Sequence, residues 1–154
     1  MGEFANLIIE RADTSESSFE AVFGLLLRLH REGGYAPLDP VKARVNAYRV
    51  IEEGMTFLAR RDGHPVGTLS LTELSFWYAQ STFLQDGWFY VSPEFRKGRV
   101  GIALMRAARE EAQRRNRIAF VTVNNPDRRP KSTTMSLESQ TAGYVPLGYT
   151  MKIT

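Results

Sequence analysis

Apolar residues return along this chain at helical spacing in some stretches and as strand-like runs in others. Leu7 to Arg11 reads as a first strand. Phe19, Val22, Phe23, Leu26 and Leu27 then recur with a helical period, and Ser17 with Glu20 reads as a capping box at the start of that helix. Gly33-Gly34 stops it. Asp39-Pro40 opens a second helix, with Asp as N-cap and Pro in the first turn. Val41, Val45 and Tyr48 mark its expected buried side, and Gly54 its end. Met55 to Arg60 reads as a strand, Asp62-Gly63 as a two-residue hairpin turn, and Val66 to about Trp77 as the return strand. After a turn at Ala79 to Thr82, Phe83 to Val91 completes three adjacent antiparallel strands.

A third helix is expected from about Arg99 to Arg115. Its packing face is Val100, Leu104, Ala107, Ala108 and Ala112, and Glu110 and Arg114 are spaced for an exposed pair. Ile118 to Val123 reads as a buried strand, reached by a crossover and therefore parallel to its neighbour. Asn124 to Lys131 is a polar loop, Ser132 to Ala142 a short helix and Tyr149 to Ile153 a last strand. The order β-α-α-β-β-β-α-β-α-β is not a repeating βα alternation, which disfavours a doubly wound nucleotide fold.

Composition narrows this picture. A chain of 154 residues with a 43% apolar share supports one domain with one core, residues 1–154. Met1 to Phe4 could be a cloning remnant and carry no weight. No window resembles a signal peptide or a membrane span, since Leu25-Leu26-Leu27 is short and flanked by charge. A cytoplasmic protein with no membrane partner is expected. There is no cysteine, hence no disulfide framework and no thiol nucleophile. With only His30 and His64 to offer, no metal site is expected.

The net charge is +3, but the positive residues are grouped: Arg96, Lys97 and Arg99; Arg114, Arg115 and Arg117; Arg128, Arg129 and Lys131. Such grouping suits an anionic ligand or nucleic acid, and equally a solvated surface. The first group stands in the most informative stretch, Trp88 to Leu104. There an aromatic run is closed by Ser92-Pro93, and a basic, glycine-containing loop then enters a helix. Strand, loop and helix start together present a row of backbone N–H groups to a phosphate.

Three passages resemble the GNAT superfamily of acyl-coenzyme A-dependent N-acyltransferases. Tyr90-Val91-Ser92-Pro93-Glu94-Phe95-Arg96 is similar to the family's Y-V-x-P-x-Y-R. Arg96-Lys97-Gly98-Arg99-Val100-Gly101 lies on its R/Q-x-x-G-x-G/A, with Arg99 where the family has its first glycine. Tyr144-Val145-Pro146-Leu147-Gly148-Tyr149 is similar to its Y-x-x-x-G-F. The hairpin text Asp62 to Gly67 looks like the one before the family's third strand. The resemblance covers residue 7 to the end. It implies an α+β fold, a three-layer α/β/α arrangement in which a mixed, mostly antiparallel sheet of about six strands carries helices on both faces.

The same resemblance implies a role for each of these residues. Amides from Lys97 through Gly98, Arg99, Val100 and Gly101 to Ile102 would hold the diphosphate of acetyl-CoA, the co-substrate. Arg96 and Arg99 would add charge. Phe89, Tyr90 and Val91 would pair with the pantetheine arm where two strands splay, and Ile118 to Asn124 would form the other wall, with Asn124 able to bond the arm or to cap the next element. The family's usual asparagine near the last helix falls at Leu137. Tyr144 would be the acid that protonates the leaving thiolate, and the N–H of Val91 or a neighbour would serve the oxyanion.

No residue stands out as the base. Gly87 occupies the place where related enzymes often carry a glutamate, and Asp86, Glu73, Glu138 and a water relay remain open. Tyr35, Trp77, Tyr78 and Trp88 could line an acceptor pocket or belong to the core. The activity implied is N-acetyltransfer to a small-molecule, peptide or protein amine, in a ternary complex. Two alternatives stand beside it: a nucleic-acid-associated protein, or a coenzyme A-binding member without turnover. One obvious strand follows Tyr144 where the family commonly has two, so an unpaired sheet edge could recruit a second copy as a homodimer.

Overall fold

The computed structural model describes residues 6–123. The chain falls into two compact units, Met1–Val121 and Thr122–Thr154. The elements of the first unit run β1 (Leu7–Arg11), α1 (Glu16–Gly33), α2 (Pro40–Glu52), β2 (Thr56–Arg61), β3 (His64–Ser75), β4 (Thr82–Val91), a 3-10 turn (Pro93–Phe95), α3 (Val100–Arg115) and β5 (Ala119–Phe120). The five described strands form one mixed sheet in the order β1-β2-β3-β4-β5. The first four are antiparallel neighbours, and β5 lies parallel to β4. The α+β class and the mostly antiparallel sheet are as expected. The helix and the strand expected after residue 123 lie outside the described residues.

Strand alternation sorts the helices onto the two faces of the sheet. Leu58 and Tyr90 join Phe19, Val22, Phe23, Leu25, Ala47 and Ile51 in one cluster, so α1 and α2 cover that face. Gly67 points the other way. A Cβ there would lie 3.0 Å from Val100 Cγ1 and 3.1 Å from Leu104 Cδ1, so the start of α3 rests directly on β3 because residue 67 has no side chain.

Local chemistry sets the element ends. The β2–β3 turn takes Asp62 and Gly63 at φ 51° and 80°, the left-handed pair that a two-residue hairpin needs. Asp39 accepts the Lys42 N–H at 3.0 Å and caps α2. Asn116, at φ 53°, ends α3.

Five local expectations are corrected. The α1 N-cap is Ser15, not Ser17; Asp13 accepts the Ser15 N–H at 2.9 Å, and Ser18 Oγ accepts the Asp13 N–H at 2.9 Å. Glu20, freed from capping, pairs with Arg44 of α2 at 2.6 Å. On α2 the buried residues are Ala47 and Ile51, while Val41, Val45 and Tyr48 are exposed. Small Ala43 and Ala47 let α2 approach α1, and the Arg44 guanidinium lies 4.7 Å from the Phe23 ring centroid. The return strand ends at Ser75, short of Trp77, and the pairing of β5 is confined to Ala119 and Phe120.

Arg114, lastly, bonds Glu111 at 2.5 Å rather than pairing with Glu110. Glu111, its side chain 2% exposed, also takes Arg11 of β1 at 2.8 Å and Arg115 at 2.7 Å. A carboxylate buried on the packing face of α3 needs such counter-charge. Burial pushes the Glu111 pKa up, but the hydrogen bonds from Arg11, Arg115 and Arg114 outweigh it and hold the group at about 2. A depressed carboxylate pKa gives stability that is present above the unfolded value near 4.5 and is lost as pH falls toward 2. The arginines are partly solvated, so the contribution at neutral pH is about 2–3 kcal/mol. Thermal melts of Glu111→Gln and the parent should differ widely at pH 7 and converge toward pH 2. A gap that persists unchanged at low pH contradicts this assignment.

Candidate active site

The carboxyl end of β4, the turn after it and the first turn of α3 form one continuous surface. β4 carries a bulge: Ser70 pairs with Trp88 and Leu71 with Asp86, leaving Gly87 as the extra residue. A Cβ on Gly87 would lie 2.7 Å from Ser70 Oγ, which itself accepts the Trp88 N–H at 3.1 Å, so a side chain there would displace that hydroxyl and break its bond. Gly87, which stands where related enzymes often carry a glutamate, is thus the extra residue of the bulge.

The bulge also sets which groups face outward. Ser92 donates its N–H to the Val66 carbonyl at 2.9 Å. Bonded pairs alternate along an antiparallel ladder. The N–H and C=O groups of Val91 and Phe89 therefore point away from β3, toward the side where β5 lies. Pairing of β4 with β5 stops at Gln85–Phe120, six residues before β4 ends at Val91. Among the described residues the two parallel strands thus pair only at one end.

The turn consumes some amides and spares others. Phe95 N–H goes to Ser92 O at 2.9 Å, Arg96 N–H to Pro93 O at 3.3 Å and Gly98 N–H to Phe95 O at 3.2 Å. The first bond of α3 runs from Ala103 N–H to Arg99 O at 3.0 Å. Val100, Gly101 and Ile102 are thus the orphan donors of the first turn. Arg99 is the N-cap and makes no side-chain capping bond, and no acidic residue stands in the first turn. A guanidinium has no acceptor to offer these donors. Lys97 and Arg99 are exposed beside them, and Gly101 packs its backbone near Phe89 and Val91. The arrangement is an uncapped helix start with positive charge around it, which favours an anion.

Arg96 is directed elsewhere. Its Nε donates to Val91 O at 2.9 Å, its Nη2 pairs with Glu32, and its guanidinium lies 5.6 Å from the Tyr90 ring centroid. Tyr90, buried, donates its hydroxyl to Glu32 Oε1 at 2.7 Å. Burial, and then the Glu32 carboxylate, push the Tyr90 phenol up to about 12. Burial raises the Glu32 pKa, but the bonds from Tyr90 and Arg96 prevail and leave it below the usual range. One helical turn earlier, Arg28 donates to Ser92 Oγ at 3.1 Å and pairs with Glu94 at 3.3 Å. Sequence reasoning missed both Arg28 and Glu32. Their i,i+4 spacing on α1 signals a shared face, but nothing in the sequence ties that face to a loop some sixty positions later.

The remaining candidates are dispersed. Asp86 is half-buried beside the bulge. Glu73 is bonded by Thr82 Oγ1 at 2.6 Å and paired with Arg117 at 3.3 Å. Trp88 packs against the α1/α2 cluster and donates its indole N–H to Thr68 Oγ1 at 3.1 Å. Trp77, Tyr78 and Tyr35 are exposed. His30 Nε2 lies 2.7 Å from Ala36 O, and His64 is exposed. Asn124, Glu138 and Tyr144 lie outside the described residues. Among the described residues no group of three or more His, Cys, Asp or Glu side chains stands together as a metal site, and no helix is long and apolar enough to cross a membrane.

Comparison with known proteins bears on this surface. A search of curated proteins finds no match. Among solved structures, an aminoglycoside acetyltransferase, meta-AAC0020, from an uncultured soil metagenomic sample is 17% identical with a TM-score of 0.67, over 98% of this chain and 100% of that one. A predicted acetyltransferase from Clostridium acetobutylicum, solved with acetyl-CoA, is 11% identical with a TM-score of 0.69, over 96% of each chain. A ribosomal-protein-alanine N-acetyltransferase from Brucella melitensis biovar Abortus 2308 is 18% identical with a TM-score of 0.60, over 96% of this chain and 99% of that one. These likenesses establish the fold. The model of the acetyltransferase (GNAT) family matches residues 20–130, which include the whole turn and all of α3. With that match over most of its length, the chain belongs to the acetyltransferase (GNAT) family.

Proposed function

We propose that this protein is an N-acetyltransferase that moves the acetyl group of acetyl-CoA to an amine by direct transfer. The observation that carries the reading is the uncapped start of α3. The orphan amides of Val100, Gly101 and Ile102 stand beside Lys97 and Arg99, with no carboxylate in the first turn. A diphosphate satisfies all of these at once. The outward backbone groups of Phe89 and Val91 lie on the side where the pairing of β4 with β5 has ended, and suit an amide-bearing arm. The Val91 carbonyl already accepts from Arg96. Its N–H is the group proposed for the oxyanion.

In the proposed reaction an unprotonated amine attacks the thioester carbonyl carbon. A carbon–nitrogen bond forms and the carbon–sulfur bond breaks. Tyr144 gives its phenolic proton to the departing thiolate, and the surplus proton of the amine passes to solvent and restores the phenol. Asp86 is the described carboxylate nearest the bulge and is the candidate to assist that last transfer. Some of the similar structures are aminoglycoside and protein acetyltransferases, so the acceptor proposed here is a primary amine, on a small molecule or a polypeptide.

Thiol release from acetyl-CoA, measured across a panel of aminoglycosides, polyamines, small amines and peptide N-termini, tests the reading. Amine-dependent release with matching acetylation of one class is expected. Binding of acetyl-CoA with no release across the panel would mark a coenzyme-binding protein without turnover.

A further inference from the structure

We infer that Glu32, at the end of α1, is the positioning residue that holds the co-substrate loop in its binding geometry; this rests on the reading of the α3 start as the acetyl-CoA site. Three contacts converge on its carboxylate and its partners. One oxygen accepts from Tyr90, the last buried residue of β4, and the other pairs with Arg96, the first residue of the basic loop. Arg96 in turn closes back onto the Val91 carbonyl at 2.9 Å. The ring runs strand, helix, loop and strand again. It fixes the chain on both sides of the Ser92-Pro93 turn.

The charges explain why the ring needs Glu32. Arg96 is drawn into the protein, with a side chain only 13% exposed. Without the carboxylate the largely buried guanidinium loses an ion-pair partner, and the Tyr90 hydroxyl loses its acceptor. Loss of that anchor loosens the hold of Arg96 on the Val91 carbonyl and on the start of the loop. Arg28, one turn back on the same helix face, holds Ser92 and Glu94 and braces the same turn from the outside. Lys97 and Arg99 are exposed on the same loop. Glu32 is not the base: both its oxygens are engaged, and its bonds to Tyr90 and Arg96 keep it acidic against the effect of burial.

The test compares the parent with Glu32→Gln by calorimetry with acetyl-CoA, by kinetics, and by hydrogen exchange of amides 97–102 in the unliganded protein. Glu32→Gln should bind acetyl-CoA about tenfold more weakly and exchange those amides about tenfold faster. With saturating co-substrate and an acceptor from the panel, kcat should stay within about twofold of the parent, so the loss appears in KM. A purely structural ion pair would lower the melting point without this KM-specific, loop-specific signature. If Glu32→Gln does not fold, Glu32→Asp keeps the charge but shortens the reach to Tyr90 and Arg96, and should show the same pattern at about two- to threefold. Unchanged affinity and exchange in the variant, with a parent that binds, overturns the inference and leaves the functional reading intact. A parent that does not bind acetyl-CoA overturns the functional reading, and the positioning role falls with it.

Discussion

Replacing Gly101 with aspartate should abolish useful acetyl-CoA binding, with affinity falling about a hundredfold or more, while the fold becomes no less stable. A Cβ at position 101 would stand 3.7 Å from Phe89 Cζ and 3.8 Å from Val91 Cγ2, ordinary contact distances. In the first turn of α3 a carboxylate meets the positive end of the helix dipole, worth about 0.3–1 kcal/mol. Loss of a helical glycine adds about 0.5–1 kcal/mol. The same carboxylate would sit where a diphosphate must, adding like-charge repulsion and competing for the amides of Val100 and Ile102. Thermal melting and titration calorimetry on one sample check both halves. A variant that melts as high as the parent and still binds acetyl-CoA normally would place the diphosphate elsewhere.

Tyr144→Phe should lower kcat by about two to four orders of magnitude, with acetyl-CoA affinity changed little. The phenol is proposed to act only when the thiolate leaves, so its loss should appear in turnover and not in ground-state binding. A protonated thiol leaves far more readily than a thiolate, and the defect should shrink for acyl donors whose thiol is more acidic. Steady-state kinetics with acetyl-CoA and with an acetyl aryl thioester separate the cases. Turnover that survives the substitution, or a defect of the same size with both donors, removes Tyr144 from the acid role.

The two halves of the site differ in how far the sequence reveals them. The β4–turn–α3 junction is written in contiguous residues: an aromatic run, a Ser-Pro stop, a basic loop and a helix start. Local chemistry dictates such a junction, and the structure has it with β4 ending at Val91 and α3 beginning at Val100. The Asp62-Gly63 hairpin is legible for the same reason. The Arg28–Glu32 contacts are not, because a charged helix face has no sequence signature for its partner. Arg96 is an example: its place at the head of the basic loop is plain in the sequence, but the contacts of its guanidinium with Glu32 and the Val91 carbonyl are not. On α2 the apolar residues Val41, Val45 and Tyr48 suggested the wrong buried side. Packing followed the small residues Ala43 and Ala47, which decide how near two helices can come. The bulge at Gly87 is likewise a product of pairing between distant strands.

Titration of the unmodified protein with acetyl-CoA in a calorimeter reaches the core of this account without needing to know the acceptor. Saturable heat at one site per chain is expected, with a dissociation constant between about 1 μM and 1 mM, weakened by added salt and lost in Gly101→Asp. Folded protein that yields no heat with millimolar acetyl-CoA would contradict the assignment of the α3 start as a diphosphate site, and with it the proposed transferase reaction.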